Sequence, residues 1–221
     1  MNERIQDRLF AGFGLVSVAL MLAAVAIGST GGDTRTLTIS STPEQVAHAL
    51  AKPAGSAAWI GAYIELLSFG CFLAFAIWAC AKLGGGLLGQ IAAAAATSYT
   101  TVSIASLAVM DALTYRAGKG MSVQLGSTIV TLNEALYVCT WFLAVFFLLA
   151  AGPLALSAGR RALGGSAFAI AAIMLVTTAS SLDNIGQMAF MLWLAWIVFA
   201  SLTLARARRV SAEAVALAQH A

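Results

Sequence analysis

Four carboxylates, Glu65, Asp111, Glu134 and Asp183, lie in or at the edge of apolar stretches long enough to cross a bilayer. An ionisable side chain at that depth costs about 3 kcal/mol or more, and it usually faces a bundle interior or a wet cavity. Glu65 sits about eight residues into its stretch, roughly 12 Å down at 1.5 Å per residue. Glu134 enters another stretch to a similar depth. Burial disfavours the charged form of a carboxyl, and a second carboxylate nearby disfavours it further. Such a pair can hold a transferable proton or a bound cation. No Lys or Arg falls within the apolar depth, so the sequence favours a protonated acid or a cation there over an internal salt bridge.

The neighbours of these acids at helical spacing are aromatic and polar. Phe69 and Phe72 follow Glu65 at i+4 and i+7, while Thr131, Tyr137 and Trp141 share the face of Glu134, with Asn133 preceding it. Asp111 has Thr114 and Tyr115 one turn on, and Asp183 has Gln187 one turn and Phe190 two turns on. Candidate catalytic residues are therefore Glu65, Glu134, Asp111 and Asp183. Candidate substrate contacts are Phe69, Phe72, Tyr137, Trp141, Asn133 and Gln187. A structural role competes for each: a Glu can hydrogen-bond a neighbouring helix, an acid near the interface is ordinarily solvated, and Trp59, Tyr63, Tyr137 and Trp141 also suit an interfacial aromatic belt.

The elements that must position these residues are helices in a membrane. The 221 residues are 61% hydrophobic and 10% charged, against about a quarter charged in soluble domains. Windows of about 20 apolar residues mark six spans, near 9–29, 57–81, 87–113, 127–155, 162–181 and 185–205. The chain reads as an all-α integral membrane bundle over residues 1–209, followed by a tail at 210–221. Arg4, Arg8, Lys82, Arg160, Arg161, Arg206, Arg208 and Arg209 fall on one side, and Arg35, Lys52, Arg116 and Lys119 on the other. This asymmetry puts both termini in the cytoplasm of a multi-pass protein, in a bacterial cytoplasmic membrane. Ala24-Val25-Ala26 resembles a signal-peptidase site, but the apolar run continues through Ile27 to Gly28 and reads as a retained span. The Ala-rich third span and the fifth, with Gly164-Gly165, suit close packing between helices.

The one sizeable loop, about 30–57, is external. Thr42-Pro43-Glu44-Gln45 predicts a capping box with Pro at the first helical position, opening a short helix over about 43–51. Val46, Ala47 and Leu50 share its apolar face. It is a connector, or it rests on the bilayer, or it lids the bundle. Cys71, Cys80 and Cys139 read as small hydrophobes. His48 is in the loop and His220 in the tail, which excludes a His-rich metal site in the bundle. No HExxH, GxSxG, Walker A or GxGxxG motif is present, and Gly84-Gly85-Gly86 is a turn without the P-loop Lys. The sequence therefore implies no metal, cofactor or nucleic acid. Its partners are the lipid bilayer, a hydrophobic small molecule, and a second copy of the chain in a homo-oligomer.

The stretches Trp59 to Leu66, Leu132-Asn133-Glu134-Ala135 and Met191-Leu192-Trp193-Leu194, with Arg206-Ala207-Arg208-Arg209, resemble a broad group of small actinobacterial membrane proteins. A weaker likeness is to the membrane-embedded terpene cyclases of meroterpenoid pathways, helical bundles that use buried Glu and Asp among aromatics. Glu65 and a later acid, Glu134 or Asp183, fit that outline, although fungal members are seven-spanning. The resemblance implies proton-initiated chemistry on an isoprenoid-like substrate. Two other readings stay open: a proton- or cation-coupled carrier, which without an inverted repeat would need a dimer, and a non-catalytic membrane partner or sensor with the acids as packing glue.

Overall fold

The computed structural model describes the backbone of residues 3–179 and 183–218, and the side chains of 5–32, 34–177 and 188–206. Within these the chain is helical, with no strand. The helices are α1 (Glu3–Gly28), α2 (Pro43–Ala51), α3 (Ser56–Lys82), α4 (Gly86–Arg116), α5 (Val123–Ser157), α6 (Arg161–Ala179) and α7 (Asp183–Ala218), with a single 3-10 turn at Asp33–Thr36. Five of them, α1, α3, α4, α5 and α7, contain stretches long and apolar enough to cross a membrane. α6 is shorter, at 19 residues, or about 28 Å. The outer surface agrees with lipid as solvent: Leu67, Ile77, Ile91, Phe146 and Val176 are all exposed apolar side chains, a pattern water does not tolerate over so wide an area.

The order of the bundle follows from its turns and tight crossings. α1 packs on α3, α3 on α4, α4 on α5, α5 on α6 and α6 on α7, which returns to α1. Near one end, Lys82 of α3 reaches both carboxylate oxygens of Asp7 at 2.9 and 2.8 Å, and Trp78 Nε1 donates to the same side chain at 3.3 Å. Near the opposite end, α1 and α3 meet through glycines. A Cβ on Gly61 would lie 2.9 Å from the Gly28 Cα, so no larger residue fits without moving backbone. In the centre, Phe72, Tyr99, Phe147, Trp193 and Trp196 form a continuous aromatic core, with Trp193 2% exposed and stacked on Trp196 at 6.1 Å.

The loop between α1 and α3 is a folded strap. As the sequence predicts, Thr42 and Gln45 close a reciprocal capping box: Thr42 N–H donates to Gln45 Oε1 at 2.8 Å and Gln45 N–H to Thr42 Oγ1 at 3.3 Å. Glu44, in the first turn, is held below its usual carboxylate range by hydrogen bonds from the Thr42 hydroxyl and the backbone. The buried face is Val46, Ala49 and Leu50; Ala47 is exposed, which corrects the expectation for that residue. Val46 and Leu50 seat on Gly126 of α5, so α2 lids the bundle. Gly118, at φ +72°, packs against the Pro53 ring and donates its N–H to Leu50 O at 2.8 Å, which ties the α4–α5 turn to the strap. Among the cysteines, Cys80 is buried and Cys71 intermediate, but Cys139 is exposed.

The described connectors between the spanning helices alternate between the two ends of the bundle, and two testable outcomes follow from this packing. Reporter fusions after Lys82, Arg161 and Arg209 should read cytoplasmic and those near Glu44 and Arg116 external; a cytoplasmic Glu44 signal inverts the orientation. Gly61→Val should cost about 1–3 kcal/mol by overpacking, read as a lower melting temperature in detergent. An unchanged melting temperature would mean that α1 and α3 do not meet there.

Candidate functional site

Beneath the strap lies a chamber of about 600 Å³, within the range of small-molecule sites. α1 gives it Met21 and Val25, and the strap Arg35, Leu37 and Thr38. α3 adds Glu65 and Phe69, while α4 adds Tyr99, Ser103, Ser106, Leu107 and Met110. The remaining walls are Asn133, Glu134, Tyr137, Thr140, Trp141 and Ala144 of α5, and Phe190, Met191 and Trp193 of α7.

The strap end of the chamber holds an ion-pair bridge that the sequence did not predict. Arg35 Nη1 donates to Glu65 Oε2 at 3.2 Å, and Nη2 to Asp111 Oδ1 at 2.9 Å. One planar guanidinium thus joins the strap to two different spanning helices, a task suited to its forked donors. The side chains are 14%, 26% and 25% exposed for Arg35, Glu65 and Asp111, so the bridge lies between a surface pair and a fully buried one. This overturns, for Glu65 and Asp111, the expectation that a protonated acid or a bound cation is favoured there over an internal salt bridge. It also overturns the solvated-end reading of Asp111.

Local chemistry aims Arg35 at this point. The 3-10 turn places it beside Gly28, where even a Cβ would sit 3.5 Å from Nη1. The same turn is pinned to α4 through Thr34 and Thr114, both 2% exposed, with their hydroxyls 3.1 Å apart. Thr114 donates to Met110 O at 2.8 Å, so its hydroxyl hydrogen is already committed and Thr34 is the donor between the two. Leu37 then packs into a small core with Leu50, Met110, Leu113 and Val130.

Of the sequence-predicted residues, the chamber brings together Glu65, Glu134, Phe69, Tyr137, Trp141 and Asn133. The partner that bridges to Glu65 is Asp111, through Arg35, while Glu134 lies on the α5 wall of the same chamber. Asn133 accepts a 2.6 Å hydrogen bond from Ser106, which joins α4 to α5. Phe72 is a correction. It is 3% exposed and shut off in the core by Tyr99, whose ring lies 5.1 Å away. One turn beyond Phe69, it sits too deep to reach the chamber. The side chains of Asp183 and Gln187 lie outside those described.

Sequence reasoning missed Arg35, Tyr99 and Trp193 as chamber residues. Tyr99 and Trp193 look like ordinary core aromatics from spacing alone. Arg35 did leave one trace: two acids at one end of the bundle, and few basic residues in the loop facing them. Compared with known protein families, curated proteins and solved structures, the chain matches none. The site must be read from its own geometry.

Removing the Arg35 charge leaves two half-buried carboxylates without their common partner. Arg35→Met, which keeps most of the apolar stem, should destabilise the protein by about 2–3 kcal/mol. Adding Glu65→Gln and Asp111→Asn should restore more than half of that loss in a thermal scan. A triple variant no more stable than Arg35→Met would show that the bridge contributes no net electrostatic coupling.

Proposed function

We propose that the chamber is the active site of a membrane enzyme that starts an isomerising cyclisation on an isoprenoid-like substrate by proton transfer. The observation that carries this is one chamber with acids at its strap end and on its α5 wall, and the ring systems of Tyr99, Tyr137, Trp141 and Trp193 around it. Glu65, ion-paired to Arg35, takes the carboxylate role, and Glu134, on the α5 wall beside Tyr137 and Trp141, takes the donor role. Its proton adds to a terminal alkene or epoxide of the substrate, leaving a carboxylate and a carbon-centred cation. Ring faces stabilise that cation as it migrates through the chain. Loss of a proton to Glu65 ends the sequence, and transfer of that proton back to Glu134 through water completes the cycle. Substrate and product are isomers, so no redox partner is required.

The reading places the chain as a multi-pass protein of the bacterial cytoplasmic membrane with the strap outside, which the Lys and Arg asymmetry supports. Tyr137 on the α5 wall is 47% exposed, which supports entry of a lipid-dissolved substrate from that side.

The test uses membranes containing the full chain and a panel of linear isoprenoid alkenes and terminal epoxides, with cyclic isomers as the readout. Glu134→Gln keeps shape but removes the proton, and should lower the rate by about 100-fold or more. Glu65→Gln should also be slow. The double variant should be little worse than the worse single, because groups acting in one sequence are non-additive. Near-normal turnover in both single variants would sink the mechanism.

A further inference from the structure

We propose that the chamber also binds hydrophobic organic cations, with the charge seated on the α5 wall formed by Glu134, Tyr137 and Trp141. These three lie at i, i+3 and i+7, so they stack along one helix face, and all three line the chamber. Tyr137 meets Trp141 edge-on at 5.7 Å and 86°, and Trp141 meets Phe190 of α7 at 6.3 Å and 77°. In edge-to-face pairs one ring of each pair keeps a face uncovered by its partner, and a cation held over such a face is attracted by its quadrupole. Glu134, one turn away, gives up its proton to water as the cation binds and then faces it as a carboxylate.

The charge balance of the walls points the same way. Arg35 is the only cationic residue among the described lining residues, and both of its terminal nitrogens are engaged by Glu65 and Asp111. Nothing else described in the wall repels a positive ligand. The rest is largely apolar, including Met21, Leu107 and Met110. That lining disfavours a hydrated inorganic ion and suits an ammonium or phosphonium that carries its own hydrocarbon. The inference shares its chamber with the proposed chemistry but asks only for binding.

The experiment measures radiolabelled tetraphenylphosphonium binding to the full-length protein in maltoside micelles by equilibrium dialysis. Saturable binding is expected above that of empty micelles, displaced by dodecyltrimethylammonium and far less by dodecanol. Glu134→Gln should weaken it by about tenfold, the scale of a partly desolvated charge contact. Tyr137→Leu should weaken it several-fold, and Tyr137→Phe, which restores the ring, should recover most of that loss. Displacement by dodecanol as strong as by the ammonium would overturn the inference. So would wild-type binding in both Glu134→Gln and Tyr137→Leu, each confirmed as a monodisperse species. Cyclic product without probe binding overturns this inference and leaves the chemistry standing; probe binding without product supports it and overturns the chemistry alone.

Discussion

A single guanidinium organises the strap end of this molecule. Two carboxylates half-buried on neighbouring helices would repel each other and resist desolvation if left alone. Arg35 answers both with its two terminal nitrogens. The strap then has one defined position, set by the charge of Arg35. Leu37 and Thr38, two and three residues on, become roof residues of the chamber because Arg35 fixes where the chain passes. The cavity is thus not a gap left by poor packing. It is bounded by a loop held down against two spanning helices.

The rest of the bundle provides stiffness beneath that roof. Gly28 and Gly61 let α1 and α3 touch at backbone distance, which brings Glu65 within reach of a side chain that begins only seven residues beyond Gly28. The core from Phe72 to Trp196 fills the centre with rings in mutual contact. Tyr99 and Trp193 belong to both that core and the chamber wall. Their positions are fixed from behind, so the rings facing the cavity are held by packing that a ligand does not have to supply.

Much of this was legible in the sequence, and the boundary is physical. Span positions, the Thr42–Gln45 box and the polar and aromatic neighbours of Glu65 and Glu134 follow from local periodicity, which a helix converts directly into a face, whereas the meeting of the two acids in one chamber depends on how α3 and α5 pack. Ala47 and Phe72 failed for a related reason. A helical face is broad, and which edge of it is covered depends on a neighbour far away in sequence, α5 for α2 and Tyr99 for Phe72. Arg35 failed more completely. Its partners lie 30 and 76 residues away, and its own surroundings are a polar loop without periodicity. Hydropathy places a loop outside the apolar layer, but it cannot see one long side chain folding back into it.

The separations of that bridge also impose an order on biogenesis. Arg35 leaves the ribosome before Glu65, and Glu65 before Asp111. The α1–α3 hairpin can assemble as soon as its own residues are made, with Arg35 holding one carboxylate. The second nitrogen acquires its carboxylate only after α4 has been inserted. Closure of the bridge therefore reports that the third spanning helix is in place, before the α5 and α7 walls of the chamber are added.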